Sequence, residues 1–179
     1  MGQADGKYWV ANNPNAEITN DNATALAQHK VLTSVESLTG GASPIALAVG
    51  TRYHNGDVNG LTCTLPAASA STVGDKIEVI YTGILADGFV HKYGTAGEFF
   101  AATSLLIKPS NATGNAAYAK DSADGTGDDF LNLTGGTNAG WGIGTTLTFI
   151  FNGSQWHVEC WGKATGNGST AATGAFATS

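Results

Sequence analysis

The sequence predicts an all-β fold, an antiparallel β-sandwich or a jelly-roll-like barrel. Two runs of alternating apolar and polar residues meet at Asn152-Gly153, a dipeptide typical of β-hairpin turns. Short strand-like runs bounded by Gly, Pro and Asn recur along the rest of the chain. The 25 glycines, with abundant Ala, Thr, Ser and Asn, suit tight turns between strands better than helices. Together these features favour packed sheets.

The hairpin around Asn152-Gly153 supplies a predicted core. Successive side chains of a strand alternate between its two faces, so the apolar positions of each hairpin strand share one side. The predicted core positions are Leu147, Phe149, Phe151, Trp156, Val158 and Cys160.

An earlier segment, residues 74–83, repeats the pattern of residues 144–153 position by position. We therefore predict two equivalent strands, which arose either by duplication or by convergence. Ile80 and Ile150 occupy matching places on the face that should point outward. Apolar residues at repeated outer positions predict that part of this face is covered, by a second sheet or by a neighbouring subunit.

The chain divides into three predicted regions. Residues 1–40 are expected to form an extended N-terminal arm whose tip is Tyr8-Trp9-Val10. Residues 41–162 form the β body. Residues 163–179 are a low-complexity tail of Gly, Ala, Thr and Ser that we expect to be flexible, because such a composition buries little apolar surface.

Turn residues divide the body into further short runs. Apart from the hairpin and the repeat, the predicted strand-like runs are 44–49, 61–65, 88–93, 98–100, 104–108 and 130–133. Pro66 and Pro109 are expected to end their strands, and residues 111–127 are predicted to be a polar loop.

Composition and charge exclude several classes of partner. The 179 residues, a single-domain length, carry a formal net charge of −6 with only 8 Lys plus Arg, too few for a basic patch that tracks a phosphate backbone. Nucleic acid is therefore excluded as an expected partner. No stretch approaches 18 consecutive apolar residues, and no basic segment followed by an apolar one opens the chain, so we expect neither a membrane span nor a secretion signal.

The two cysteines are Cys63 and Cys160. Both fall on apolar strand faces, which predicts two buried reduced thiols. A disulfide bond between them is the alternative.

The sequence contains no catalytic constellation, and we predict neither an enzyme nor a cofactor. The four histidines are scattered, with no His-Glu-x-x-His pair, and no Gly-x-Ser-x-Gly elbow occurs. His91 and His157 lie at polar strand positions, where solvated side chains are expected.

Two weaker binding sites remain. Asp121, Asp124, Asp128 and Asp129 cluster in a glycine-containing segment that is either a solvated acidic loop or a calcium loop, although the alternate-residue spacing of an EF-hand is absent. Aromatic residues predict a surface for stacking on sugar rings. Its members would be Tyr93, Trp141 and Trp161, because strand phase points Trp156 inward.

The order of several motifs resembles small β-rich head-decoration and fibre modules of bacteriophage virions. The resemblance spans residues 55–179. Its motifs are, in order, Leu65-Pro66-Ala67-Ala68, Gly74-Asp75-Lys76-Ile77-Glu78-Val79, Leu105-Leu106-Ile107-Lys108, Asn152-Gly153-Ser154-Gln155-Trp156-His157-Val158 and the Gly/Thr/Ala tail with Phe176. It implies a symmetric, non-enzymatic surface component of a viral particle.

From this resemblance we expect a capsid decoration (cement) protein, made in the host cytoplasm and added to the surface of the expanded head. It would bind the major capsid protein as a homotrimer, with the aromatic arm tip, Ile80 and Ile150 at its interfaces. One alternative is a tail- or head-fibre module that binds a host receptor or glycan through an exposed aromatic surface with polar partners. Another is a secreted calcium-dependent adhesin domain that uses the acidic loop.

Overall fold

The computed structural model describes residues 32, 34–38, 44–56, 61–83, 89–93, 97–112, 115–133, 143–162 and 176–178. At 89–93, 108–112 and 115–121 only the backbone is described. All of these residues belong to one unit, Val31–Ser179.

Twelve strands in the described residues form two sheets, which confirms the prediction of a β-rich fold. The larger sheet contains, in chain order, β1 (Ser34–Leu38), β3 (Thr51–Asn55), β5 (Lys76–Tyr81), β7 (Leu105–Ala112), β8 (Asn115–Ser122), β10 (Thr146–Phe151) and β11 (Trp156–Trp161). The smaller sheet contains β2 (Ile45–Ala46), β4 (Thr62–Leu65), β6 (Phe89–Tyr93), β9 (Phe130–Leu133) and β12 (Phe176–Ala177). One short 3₁₀ turn, Ala68–Ala70, is the only helical element in this part of the chain.

The first six strands alternate between the sheets. Within each sheet, every strand of this series pairs in parallel with the strand two places earlier in the chain: β1 with β3, β3 with β5, β2 with β4, and β4 with β6. Parallel neighbours need a connection that leaves the sheet and returns. Here each such connection passes through a strand of the other sheet, so the chain winds as a coil.

The prediction of wholly antiparallel sheets is wrong, because both sheets are mixed. The order of neighbours is β1-β3-β5-β10-β11-β7-β8 in the larger sheet and β12-β9-β6-β4-β2 in the smaller one. Of the ten strand pairs in the described residues, five are parallel and five antiparallel. Alternation of side chains along one strand identifies the strand but does not contain the direction of its partner.

The hairpin of β10 and β11 lies at the centre of the core, as predicted. All six predicted core residues are at most 2% exposed, and they join a cluster to which both sheets contribute. Trp156 lies 5.5 Å from Phe151 between ring centroids, and its Nε1 donates a 2.9 Å hydrogen bond to the carbonyl of Pro66. That bond satisfies the one polar atom of a fully buried indole.

The turn of this hairpin has four residues rather than two. The last strand pair is Phe151 with Trp156, and residues 152–155 connect them. The side-chain Oδ1 of Asn152 accepts hydrogen bonds from the backbone N–H of Ser154 (3.0 Å) and Gln155 (2.9 Å). Gly153 has a φ of 108°, a conformation that favours glycine.

The two repeated segments are neighbours in the larger sheet. β5 and β10 pair antiparallel, and Glu78 lies opposite Thr148, its equivalent in the repeat. The two strands are therefore related by a local twofold axis that passes between this pair.

Hydrogen bonds at both ends of β5 and β10 obey the same twofold symmetry. The Gly74 N–H donates to the carbonyl of Phe151 (2.9 Å), and the Gly144 N–H donates to the carbonyl of Tyr81 (2.8 Å). Both glycines have positive φ values, 84° and 88°. The repeat seen in the sequence thus corresponds to a repeat in structure.

Both cysteines are buried and free. Cys63 lies on β4 in the smaller sheet and Cys160 on β11 in the larger sheet, so each sheet contributes one thiol to the shared core. Burial raises both pKa values, that of Cys63 to about 12. The prediction of two buried reduced thiols is confirmed.

A strand occupies part of the region predicted to be a polar loop. β8 pairs along its whole length with β7, which continues through Pro109 instead of ending there. β11 pairs with β7 only from Leu105 to Ile107. Beyond residue 107, therefore, β8 is the only partner that β7 has in the described residues, and a proline is tolerated where one side of a strand is open.

Both terminal regions contribute a strand. Ser34–Leu38, inside the predicted arm, forms β1, and Leu38 is in the core, so the larger sheet begins before residue 41. Phe176–Ala177, inside the predicted flexible tail, forms β12 against β9. Phe176 is 6% exposed and lies 5.7 Å from Phe100 in an edge-to-face pair. The expectation of a flexible tail is wrong at β12, because one aromatic side chain buries enough surface to hold it.

Candidate functional site on the outer face of the larger sheet

The outer face of the larger sheet is the side that points away from the core. Its side chains alternate along each strand with the buried ones. The members with described side chains on the five strands from β3 to β7 are Arg52, His54, Lys76, Glu78, Ile80, Leu105, Ile107, Thr146, Thr148, Ile150, His157, Glu159 and Trp161.

A charged cluster lies where β3 meets β5. Arg52 Nη2 lies 2.8 Å from Glu78 Oε2, and Lys76 Nζ lies 2.6 Å from Glu78 Oε1. Burial opposes ionisation of the Glu78 carboxyl, but hydrogen bonds and the positive charges of Lys76 and Arg52 outweigh it, and the pKa of Glu78 is lowered. Both oxygens of this carboxylate are thus held by cations of the same face.

An apolar row crosses the same face. In register, Thr146 lies between Ile80 and Trp161, and Trp161 lies beside Ile107. Trp161 is 58% exposed, whereas Ile80 and Ile107 are half-buried. Ile150 is also half-buried on this face. Ile80 and Ile150 therefore lie on the outer face, and their coverage by another subunit stays a prediction.

A groove of about 120 Å³ lies between β11 and β7 at the end of this row. Its lining includes Thr103, Leu105, Ile107, His157, Glu159 and Trp161. The imidazole Nδ1 of His157 lies 3.0 Å from Thr103 Oγ1, and its Nε2 lies 3.4 Å from Glu159 Oε1. The groove therefore joins an exposed indole to a hydroxyl, an imidazole and a carboxylate.

His157 differs from its prediction. Its side chain is only 21% exposed and is held by Thr103, so it is not a freely solvated strand histidine. Strand phase alone places residues 157, 159 and 161 on one face. Thr103 and Leu105 could not be assigned to the site from the sequence, because nothing in it signals the parallel pairing of β11 with β7.

The predicted acidic loop is folded around one aspartate. Asp124 Oδ1 accepts hydrogen bonds from the backbone N–H of Thr126 (2.8 Å) and Gly127 (2.7 Å), and these bonds lower the pKa of the Asp124 carboxyl. Asp128 Oδ2 accepts from the Asp124 N–H (2.8 Å). These two carboxylates thus shape the turn through backbone contacts.

The other predicted site residues lie mostly outside the described part of the chain. Tyr8, Trp9, Val10 and Trp141 are not described, nor are the side chains of Tyr93 and Asp121. The complete calcium set and the complete aromatic surface therefore stay predictions. Among the described side chains, no group of three or more His, Cys, Asp or Glu is placed to hold a metal ion.

Comparison with protein families, curated proteins and solved structures gave no match to this chain. In the part of the chain that the structure describes, no helix has the length and apolar character needed to cross a membrane.

Proposed function

We propose that the chain is a non-enzymatic structural protein of a bacteriophage virion, a decoration protein that binds the surface of the expanded head as a homotrimer. The observation that carries this proposal is the outer face of the larger sheet. It presents an exposed tryptophan and half-buried isoleucines on regular, adjacent strands. Such a patch on a soluble protein is typical of a protein contact.

The proposed architecture behind this face is a sandwich. In it the two sheets pack against each other around the shared core and leave the other side of the larger sheet available. This arrangement is supported by the single core cluster, to which strands of both sheets contribute.

The size of the face favours attachment as an oligomer. Five strands about 4.8 Å apart and six residues long give a surface of about 20 by 20 Å, or roughly 400 Å². A standard interface buries about 800 Å² per partner, so one such contact would be weak. A symmetric trimer that engages three capsid sites would gain affinity through multivalency.

Co-sedimentation with empty expanded capsids from the same source tests the proposal. We expect the full chain to co-sediment and to behave as a trimer in sedimentation equilibrium at tens of micromolar. Ile150→Asp should weaken both properties. The control is Val73→Asp, which puts the same charge on an exposed residue outside the strands. A monomer that does not bind capsids would contradict the proposal.

The N-terminal arm gives a second test of the trimer. We propose that Tyr8, Trp9 and Val10 anchor the arm on an adjacent surface, because aromatic residues bury large area for few lost rotamers. Removal of residues 1–30 should leave the far-UV circular dichroism unchanged and weaken trimerisation or capsid binding. Aggregation or much earlier melting would instead place Trp9 in the core.

A fibre module that binds a host receptor or glycan is the second candidate. The exposed indole of Trp161 with polar neighbours favours it, since this combination distinguishes a glycan-binding module from a purely structural one. Binding of soluble host glycans without any capsid binding would support this alternative over the decoration protein.

A further inference from the structure

The groove beside Trp161 combines an exposed aromatic ring with hydrogen-bonding groups on the same strand. We propose that it binds one neutral sugar residue, stacked on the indole of Trp161. This site is defined by side chains of β11, β7 and the segment before β7, and it does not require that the chain attach to a capsid.

The first step is the stacking surface. Trp161 is 58% exposed although it lies within a regular strand, with Ile107 beside it in register. One face of a pyranose ring presents C–H groups, and an indole offers a rigid flat partner for them at little cost in conformational entropy. The aliphatic side chains of Leu105 and Ile107 extend this apolar surface into the groove.

The second step is the polar edge. Glu159 follows one position away from Trp161 on the same strand face, at about 7 Å along the strand, and its side chain is 55% exposed. An ionised carboxylate only accepts hydrogen bonds, and sugar hydroxyls donate them. His157 is fixed by Thr103 and lines the same groove, so the polar groups are positioned before a ligand arrives.

The third step concerns size and charge. The groove measures about 120 Å³, whereas pockets for drug-sized ligands measure about 300–1,000 Å³. It therefore holds one ring of a glycan rather than an extended oligosaccharide. Its described lining contains Glu159 but no Arg or Lys, so an anionic sugar such as a sialic acid would be repelled.

Saturation-transfer NMR on the full chain tests this site directly. The neutral probes are methyl β-glucopyranoside, methyl β-galactopyranoside and N-acetylglucosamine, and the charged probes are N-acetylneuraminic acid and choline. A single-ring ligand should bind with a dissociation constant of about 1 mM or weaker. We expect at least one neutral sugar to receive saturation and both charged probes to receive none.

Variants then locate the binding. Trp161→Ala should weaken binding of the neutral sugar at least tenfold, Trp161→Phe should retain part of it, and Glu159→Gln should weaken it severalfold. Val73→Ala is the control, because Val73 is exposed outside the groove. Melting curves and near-UV circular dichroism show whether each variant is folded.

Three results would overturn the proposal. One is the absence of saturation of every neutral sugar at tens of millimolar. Another is binding that Trp161→Ala and Trp161→Phe both leave unchanged. The third is preferential binding of N-acetylneuraminic acid or choline. Capsid co-sedimentation is measured separately, so loss of sugar binding and loss of capsid binding are distinguishable.

Discussion

Phe149 shows how far single residues of the hairpin can be understood from strand alternation. It is fully buried and lies 6.4 Å from Phe100 between ring centroids. Phe149→Ala removes this contact and leaves a cavity, so we expect a loss of about 3–5 kcal/mol in the free energy of unfolding. Urea denaturation measures it, with Thr148→Ala on the outer face as the control. A loss below about 1 kcal/mol would mean that the strand faces are assigned wrongly.

Glu78 links the outer face to pH. Its pKa is lowered in the folded protein, so its ionised form contributes stability above the unfolded value of about 4.3, and that contribution disappears as the pH falls through the folded pKa. We expect Glu78→Gln to cost about 1 kcal/mol at pH 7. The difference from the wild type should shrink below about pH 4.

Denaturation curves between pH 2 and pH 7 check the expectation for Glu78. Glu159→Gln is the matched control, since the exposed Glu159 carboxylate contacts only His157, at 3.4 Å, among the contacts described for it. Its effect should stay within about 0.5 kcal/mol. A difference for Glu78→Gln that persists unchanged at low pH would contradict the role of the charge.

At the scale of elements, the repeat makes a symmetric prediction. Gly74 and Gly144 precede equivalent strands with φ values of 84° and 88°. An alanine at either position would be forced into the left-handed region, at a cost of about 1–2 kcal/mol. We therefore expect Gly74→Ala and Gly144→Ala to destabilise the protein by similar amounts in urea denaturation.

The control for the repeat is Gly56→Ala. Gly56 does not have a left-handed φ, and an added Cβ would meet the Thr82 hydroxyl at 3.3 Å, which can move aside. Its effect should be within about 0.5 kcal/mol. Strongly unequal costs at the two repeat glycines would show that the local twofold symmetry does not extend to their energetics.

Some elements could be predicted from the sequence and others could not, for physical reasons. β9 and β10 follow alternating apolar residues and were predicted. β3 was not, because two of its three buried residues, Thr51 and Asn55, are polar and hide the alternation around Tyr53. β8 was missed because a run of small and polar residues lacks the apolar period that marks a half-buried strand.

The last strand provides a test of whether the tail is part of the fold. Phe176→Ala removes a side chain packed against Phe100, so we expect a loss of about 3 kcal/mol. An unordered tail would give no change. Thermal or urea unfolding decides between them, and Val73→Ala at an exposed site is the control.

At the scale of the whole molecule, pairing between distant strands limited what the sequence could reveal. The outward placement of Ile80 and Ile150 follows from the period of each strand. The groove does not, because it depends on the parallel pairing of β11 with β7, whose residues are about fifty positions apart. The candidate site was therefore predictable residue by residue and not as an assembled surface.

The two thiols report on opening of the whole molecule. Cys63 and Cys160 are buried in a core shared by both sheets, and burial raises their pKa values, so neither forms a thiolate readily in the folded state. We expect both to react with a thiol reagent at one common rate that follows global unfolding as urea increases. Rapid labelling of either cysteine without urea would show that its sheet opens locally.

The hairpin of β10 and β11 lies between β5 and β7, which come earlier in the chain. While the protein is being synthesised, the larger sheet cannot close until residues 146–161 have left the ribosome. Until then β5 and β7 each keep an open edge, and open edges pair readily with other nascent chains. Slow translation or strong overexpression is therefore expected to lower the yield of soluble protein, even though the finished core is well packed.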